Sequence, residues 1–230
     1  LDEAFIGESR EWPTGAAFIF LQDGTGENAI IVADGAARHM QPEDLEAARP
    51  AIRESGVFLT QLETSLAVAQ RGLEMAKEHA VITILNPAPA APLPDEIYPL
   101  VDYLTPNESE AAALAGHPVA TLEQAGAAAD ILLRRGVGAV VLTLGGRGVL
   151  FKNRAGSVHL PAFRLGAVVD TTAAGDGFNG GLAVGLAEGL EPVAAVRFGC
   201  ALAGIAVTRP GAVPSMPRRD EIDAVLRGQP

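Results

Sequence analysis

The sequence predicts an α/β domain in which a mainly parallel sheet lies between two layers of helices. Two observations carry this. Short, almost wholly apolar runs such as 81–85 and 139–143 alternate with longer stretches of helical character. Breaker sequences close those runs, Asn86-Pro-Ala-Pro-Ala90 after one and Leu144-Gly-Gly-Arg-Gly148 after the other. Strands buried on both faces read as continuous apolar runs, and strand–helix alternation builds parallel sheets with helices on either side.

The elements follow in order. Residues 14–21 and 27–32 are rich in β-formers and flank the turn sequence Asp23-Gly-Thr-Gly26, which predicts a hairpin outside the main sheet. Residues 57–62 read as a strand and 64–79 as a helix. The next strand, 81–85, ends where proline removes the backbone donor. A short strand at 101–104 stops at Thr105-Pro106, and helices are expected over 107–115 and 121–135. Residues 139–143, 149–152 and 157–160 read as strands. The rest is helical, over 174–189, 192–208 and 218–227, with a strand-like Ala-Val-Val leading into Asp170. The expected division is 1–36 as hairpin and connection, 37–230 as α/β core.

Composition narrows the function. The 230 residues carry 17 Lys+Arg against 28 Asp+Glu, a net charge of −11. That balance argues against a general nucleic-acid binder, which needs cations to neutralise phosphates. No run approaches the roughly 18 apolar residues of a membrane helix. The single cysteine, Cys200, cannot form an intrachain disulfide, and no secretory signal is recognisable, so a cytoplasmic setting is expected.

Glu63, Asn86, Asn107, Thr143 and Asp170 each fall at or just beyond the carboxyl end of a predicted strand. Ligands bind along that edge in open α/β sheets. The most informative segment is Asp170-Thr-Thr-Ala-Ala-Gly-Asp-Gly-Phe-Asn-Gly-Gly181. Small residues at 173–175 would let amides at a helix start face an anion, and Asp176 would sit in the first turn as a stabilised carboxylate. Gly175, Gly177 and Gly180 match a dinucleotide fingerprint literally, but more helix rather than a strand is expected to follow, so that reading is set aside. The four histidines, 39, 79, 117 and 159, show no metal-ligand spacing. Cys200 reads from its surroundings as a packing residue and Trp12 as a loop residue. Glu43-Asp44 and Asp95-Glu96 read as solvated helix starts.

Six segments together resemble the ribokinase-like, or PfkB-type, carbohydrate kinases: Gln61-Leu-Glu63, Asn86-Pro-Ala-Pro-Ala90, Thr105-Pro-Asn-Glu-Ser-Glu110, Leu142-Thr-Leu-Gly-Gly-Arg-Gly148, Asp170 through Gly180, and Ala206-Val-Thr-Arg-Pro-Gly-Ala212. The resemblance implies a three-layer αβα fold with a small β lid, and ATP-dependent phosphorylation of a sugar hydroxyl, foremost the 5-hydroxyl of ribose. It implies Asp176 as general base and the amides of Ala173, Ala174 and Gly175 as the anion hole, with Glu63 and Asp176 on the sugar. Asn107, Thr143, Gly145, Gly146, Arg147, Gly148, Gly175 and Cys200 would line the nucleotide site. Glu110 would organise Mg²⁺ through water. Asp170, Thr172, Ala206, Arg209, Gly211 and Ser215 would hold an activating K⁺. A homodimer through the lid is expected.

Two departures stand out. Ala173 occupies a position where the family signature usually has Gly. The family's N-terminal portion, which carries the first strands, part of the lid, a sugar-binding Asp and a Gly-Gly motif, has no counterpart here, so the chain is expected to be a piece lacking it. Kinases of fructose, a deoxy sugar acid or a nucleoside remain alternatives, as does a silent nucleotide-binding module.

Overall fold

The computed structural model describes residues 4–21 and 28–228. Strands β1 (Ala16–Leu21) and β2 (Asn28–Ala33) form a separate antiparallel pair in which Phe18 faces Ile31 and Ala17 faces Val32. Phe18, Phe20, Ile31 and Val32 are exposed. The expected turn at 23–26 lies outside the described residues. Trp12 is a loop residue that stacks on the His39 ring with centroids 3.6 Å apart.

Two short 3₁₀ segments, Gly35–His39 and Pro42–Ala48, and the helix α1 (Arg49–Glu54) lead to the core. Then follow β3 (Val57–Thr60), α2 (Leu66–Glu78), β4 (Ile82–Leu85), β5 (Tyr103–Leu104), α3 (Glu108–Ala115), α4 (Leu122–Arg135), β6 (Ala139–Thr143), β7 (Val149–Asn153) and β8 (Gly156–Leu160). Helices α5 (Ala174–Ala187), α6 (Pro192–Ala206) and α7 (Arg219–Gly228) complete the chain. The sheet order is β3-β4-β5-β6-β7-β8, parallel from β3 to β6 and antiparallel thereafter.

Side-chain alternation along the central strands feeds two cores. Leu85, Leu104, Val140, Leu142 and Leu150 pack with α2, α3 and α4 on one face. Ile84, Ala139, Val141, Val149 and Phe151 pack with α5, α6 and α7 on the other. A strand whose successive residues enter different apolar layers must be apolar throughout, which is why β6 reads Ala-Val-Val-Leu-Thr. Crossovers between parallel strands take one hand, so α2 and the α3–α4 pair share a face.

The capping chemistry sets the helix starts. Ser65, Asn107 and Thr121 each accept the amide three residues on, and Asn107 and Thr121 complete capping boxes with Glu110 and Gln124. Of the acidic pairs, Glu43-Asp44 does open a helical segment, where Asp44 forms a capping box with Gln41. Asp95 lies in a turn and pairs with Arg135 at 2.7 Å. Between α5 and α6 the contact is backbone-close at Gly181, against Gly199, and one turn on at Gly185, against Ala195. The strand expected before Asp170 is absent. Residues 161–173 are irregular, and Val168 and Val169 are exposed.

Candidate active site at the carboxyl edge of the sheet

Because β3 to β6 are parallel, the chain segments leaving them converge on one edge. Backbone bonds stitch those segments together: Asn86 N–H to Thr60 O at 3.0 Å, Thr105 N–H to Leu85 O at 2.9 Å, and Thr143 N–H to Pro106 O at 2.9 Å. Leu62 N–H donates to Ala88 O at 2.8 Å, so the Gln61-Leu-Glu63 segment rests against the proline-rich segment after β4. Glu63, Asn86, Asn107 and Thr143 therefore share an edge, while Asp170 reaches the site from an irregular segment instead of a strand.

Asp176 comes from the opposite helical layer, in the first turn of α5. It shares a cavity of about 410 Å³ with Thr60, Gln61, Glu63, Thr64 and Asn179. Gln61 Nε2 donates to Asp176 Oδ1 at 2.9 Å and to Asn86 Oδ1 at 3.1 Å, and Asn86 Nδ2 donates to Thr105 O at 2.8 Å. Gln61 and Asn179 were not among the expected site residues. The signal for Gln61 was its place directly beside the end of a strand, and for Asn179 its place three residues beyond Asp176. Arg38 reaches from the region after β2 and donates to Leu62 O and Thr64 O, both at 3.1 Å, which ties that region to the Glu63 segment.

The start of α5 is open. A Cβ on Gly175 would meet nothing within 4 Å, and the first-turn amides of a helix lack intrahelical acceptors. Ala173 precedes the helix at φ +57°, the left-handed conformation that favours glycine. Of the three expected amides, that of Ala174 donates to Thr171 O at 3.2 Å.

The expected nucleotide residues form a second group beside the first. Asn107 pairs in parallel with Thr143 through the backbone. Glu110 is buried, and its two carboxylate oxygens accept from Asn107 N–H at 2.9 Å and Asn107 Nδ2 at 2.8 Å. Burial pushes its pKa up, against the backbone bond from Asn107, which pulls it down. Gly145, Gly146 and Arg147 make a tight turn, and a Cβ on Gly145 or Gly146 would meet nothing within 4 Å. Gly148, at φ +96°, passes so close to β8 that a Cβ would lie 2.0 Å from Leu160 O. Arg147 is pinned to Ala120 O at 2.7 Å and to Glu108 at 3.0 Å. Cys200 is buried in the apolar layer of α6, and burial pushes its thiol up to about 12. It offers packing surface and no accessible thiolate.

A third group surrounds Asp170. Its Oδ1 accepts Thr172 N–H and its Oδ2 accepts Gly211 N–H, both at 2.8 Å. Hydrogen bonds from the Thr172 side chain, then from the Thr172 and Gly211 backbone, hold this carboxyl below its ordinary range. Ala206 O accepts Arg209 N–H at 3.0 Å, and Ser215 Oγ donates to Ala212 O at 2.7 Å. The Arg209 guanidinium is engaged by Glu221 of α7. Among the described residues no group of three or more His, Cys, Asp or Glu could hold a metal ion. The oxygens here are of the hard type that suits K⁺, from one anion, a hydroxyl and carbonyls.

A larger cavity of about 620 Å³ lies at the other edge, at the amino ends of β4, β5 and β6. Its Lys77 and Asp102 pair with each other at 2.6 Å, and none of the expected site residues lines it. Size does not select the site. The dinucleotide alternative fails on structure: no strand precedes Gly175, Gly177 packs against Leu202 and Met216, and α6 follows α5. No helix among the described residues is long and apolar enough to cross a membrane.

The cleft lies where open α/β sheets bind their ligands, at the carboxyl edge of the parallel strands, with the Asp176 carboxylate at a helix start lining it. The chain belongs to the pfkB family of carbohydrate kinases, whose model matches residues 1–219. It is 39% identical over 221 residues to the ribokinase of Haemophilus influenzae, covering 96% of this chain and 72% of that protein. The structure of Thermotoga maritima ribokinase superposes with a TM-score of 0.82 at 43% identity, covering 94% of this chain and 70% of that one. Arabidopsis thaliana ribokinase complexed with ribose and ATP superposes with a TM-score of 0.84 at 32% identity, again over 94% and 70% of the two chains.

Proposed function

We propose that the protein transfers the γ-phosphoryl group of ATP to the 5-hydroxyl of D-ribose, giving ribose 5-phosphate and ADP. The observation that carries this reading is the meeting of Asp176 and Glu63 in one cavity beneath the open start of α5. Similarity to ribokinases, including one complexed with ribose and ATP, supports the choice of sugar and nucleotide.

In this reading Glu63 accepts hydrogen bonds from sugar hydroxyls. The 5-oxygen attacks the γ-phosphorus, a new O–P bond forms, and the bond to the β,γ-bridging oxygen breaks as ADP leaves. The hydroxyl proton passes to Asp176. A carboxylate is a weak base for a free alcohol, but the alcohol acidifies as its oxygen bonds to phosphorus, so the transfer is late. Phosphoryl transfer asks chiefly for positioning and charge stabilisation. The helix start at Gly175 supplies oriented amides to the transferring group. Asn107, Thr143 and the turn at Gly145–Gly148 border the nucleotide.

Mg²⁺, when bound with the nucleotide, neutralises phosphate charge. Glu110, whose two oxygens accept from Asn107, would act on the ion through water. K⁺ would be held beside Asp170 and the 206–215 segment. A homodimer formed through the exposed apolar hairpin of β1 and β2, in the reducing cytoplasm, completes the reading.

The test is ADP release with ribose and ATP by the wild-type protein and by Asp176→Asn. We expect turnover from the first and a loss of at least about 10²-fold in the second, with ATP still bound in calorimetry. No turnover of ribose by the wild type would end the reading, and near-normal turnover by Asp176→Asn would remove Asp176 as base.

A further inference from the structure

We infer that Gln61 is a positioning residue whose amide holds Oδ1 of Asp176 as a fixed acceptor and reserves Oδ2 for the sugar proton; this rests on the kinase reading above. Amide side chains can ordinarily be turned end for end, so a hydrogen bond from Gln or Asn leaves its polarity open. Here the polarity is decided by the backbone. The carbonyl of Thr105 can only accept, so Asn86 must present Nδ2 to it, at 2.8 Å. That turns Asn86 Oδ1 toward Gln61, which must answer with its own nitrogen, at 3.1 Å. The remaining hydrogen of Gln61 Nε2 then points to Asp176 Oδ1, at 2.9 Å.

The relay therefore runs from the end of β5 through the segments after β4 and β3 to a helix in the opposite layer. It spans 115 residues of sequence in its last step. Asn86 is buried and Thr105 more so, which keeps water from competing for the anchoring bond. The consequence for catalysis is directional. An oxygen that accepts from an amide with no alternative orientation is a poor place for an incoming proton, whereas the other oxygen of the same carboxylate is free of that donor. Asp176 is exposed and stands in the first turn of α5, where helix geometry alone leaves its χ1 rotation unfixed. Gln61 supplies the missing restraint.

Gln61→Leu keeps the volume and removes the donor, while Gln61→Glu replaces the donor with a carboxyl that can donate only when protonated. For Gln61→Leu we expect kcat to fall about 10- to 100-fold, as for a misplaced catalytic group, with KM for ATP within about twofold of wild type. For Gln61→Glu, two carboxyls in contact share a proton. The ratio of its kcat to that of wild type should therefore fall as pH rises from about 6 to about 9. A third reading needs no turnover: the side-chain amide proton resonances of Gln61 should shift on Asp176→Asn.

Wild-type kcat in Gln61→Leu, a pH-independent ratio in Gln61→Glu, or unmoved Gln61 amide resonances would each overturn the inference. Should Gln61→Leu fail to fold, the other two measurements decide. A wild type inactive on ribose would sink the kinase reading instead, and the resonance experiment would still judge the relay.

Discussion

Gly181 and Gly199 bring α5 and α6 backbone to backbone: a Cβ on Gly181 would lie 2.8 Å from the Cα of Gly199. That approach holds in place the helix that carries Asp176. Gly181→Ala should destabilise the protein by about 1–3 kcal/mol, because backbone on both sides of the contact has to move. Its neighbour Gly180 has nothing within 4 Å of its Cβ position, so Gly180→Ala should stabilise by about 0.5–1 kcal/mol. Urea unfolding of the pair checks the opposite signs.

Ala173 and Ala80 both hold φ +57°. An L-residue with a side chain is disfavoured there by about 1–2 kcal/mol. Ala80→Gly, which follows α2 at the far edge of the sheet, should raise stability by about 1 kcal/mol. Ala173→Gly should do the same and leave kcat within about twofold, since only the preference for that backbone conformation changes. Equal stability of wild type and both variants in thermal unfolding would contradict the assignment of strain.

Asp170 titrates below its ordinary range when folded. Its ionised form therefore contributes stability above the unfolded-state pKa of about 4, and that contribution is lost as pH falls through the lower folded value. Asp170→Asn should thus be less stable than wild type near neutral pH, with the difference shrinking on acidification below about pH 4. A difference that stays constant with pH would show that the charge plays no part in joining residues 170–172 to Gly211.

Glu63 lines the same cavity as Asp176, and the proposed function gives it the sugar hydroxyls. Glu63→Ala should raise KM for ribose about 10- to 100-fold, the value of one or two hydrogen bonds to a charged acceptor, with KM for ATP little changed. Parallel titrations of the two substrates separate this from general loss of structure.

The hairpin of β1 and β2 exposes Phe18 and Phe20 side by side with Ile31 across the ladder. If this ladder forms the dimer contact, Phe18→Asp combined with Phe20→Asp should convert the dimer to monomer in light scattering, without lowering the melting temperature of the core by more than about 2 °C. An unchanged mass would place the contact elsewhere.

Much of this fold was legible because local signals agreed with the global arrangement. β6 is apolar at alternate positions for two different layers, and Ser65, Asn107 and Thr121 mark helix starts by side chains that reach their own backbone. The β-branched run at Val168 and Val169 misled, since strand propensity expresses packing on a neighbouring strand and here the backbone bonds Val207 O instead. Helix α1 was missed because it is six residues long and carries Pro50 near its start. At the site, the strand-end rule located Glu63, Asn86, Asn107 and Thr143. The role of Gln61 could not be read, because its partner Asp176 lies 115 residues away and the polarity of the bond depends on a backbone carbonyl of a third segment.

The order of strands across the main sheet is also their order along the chain. A polypeptide leaving the ribosome can therefore lay each strand against the one made just before it, with no crossover reaching past a neighbouring strand. Asp176, the proposed proton acceptor, is delivered by α5, after the six strands of the main sheet among the described residues. On the proposed reading, the growing chain can gather the sugar-facing edge while it has no means of spending a nucleotide, and phosphate transfer would begin only once the second helical layer has docked.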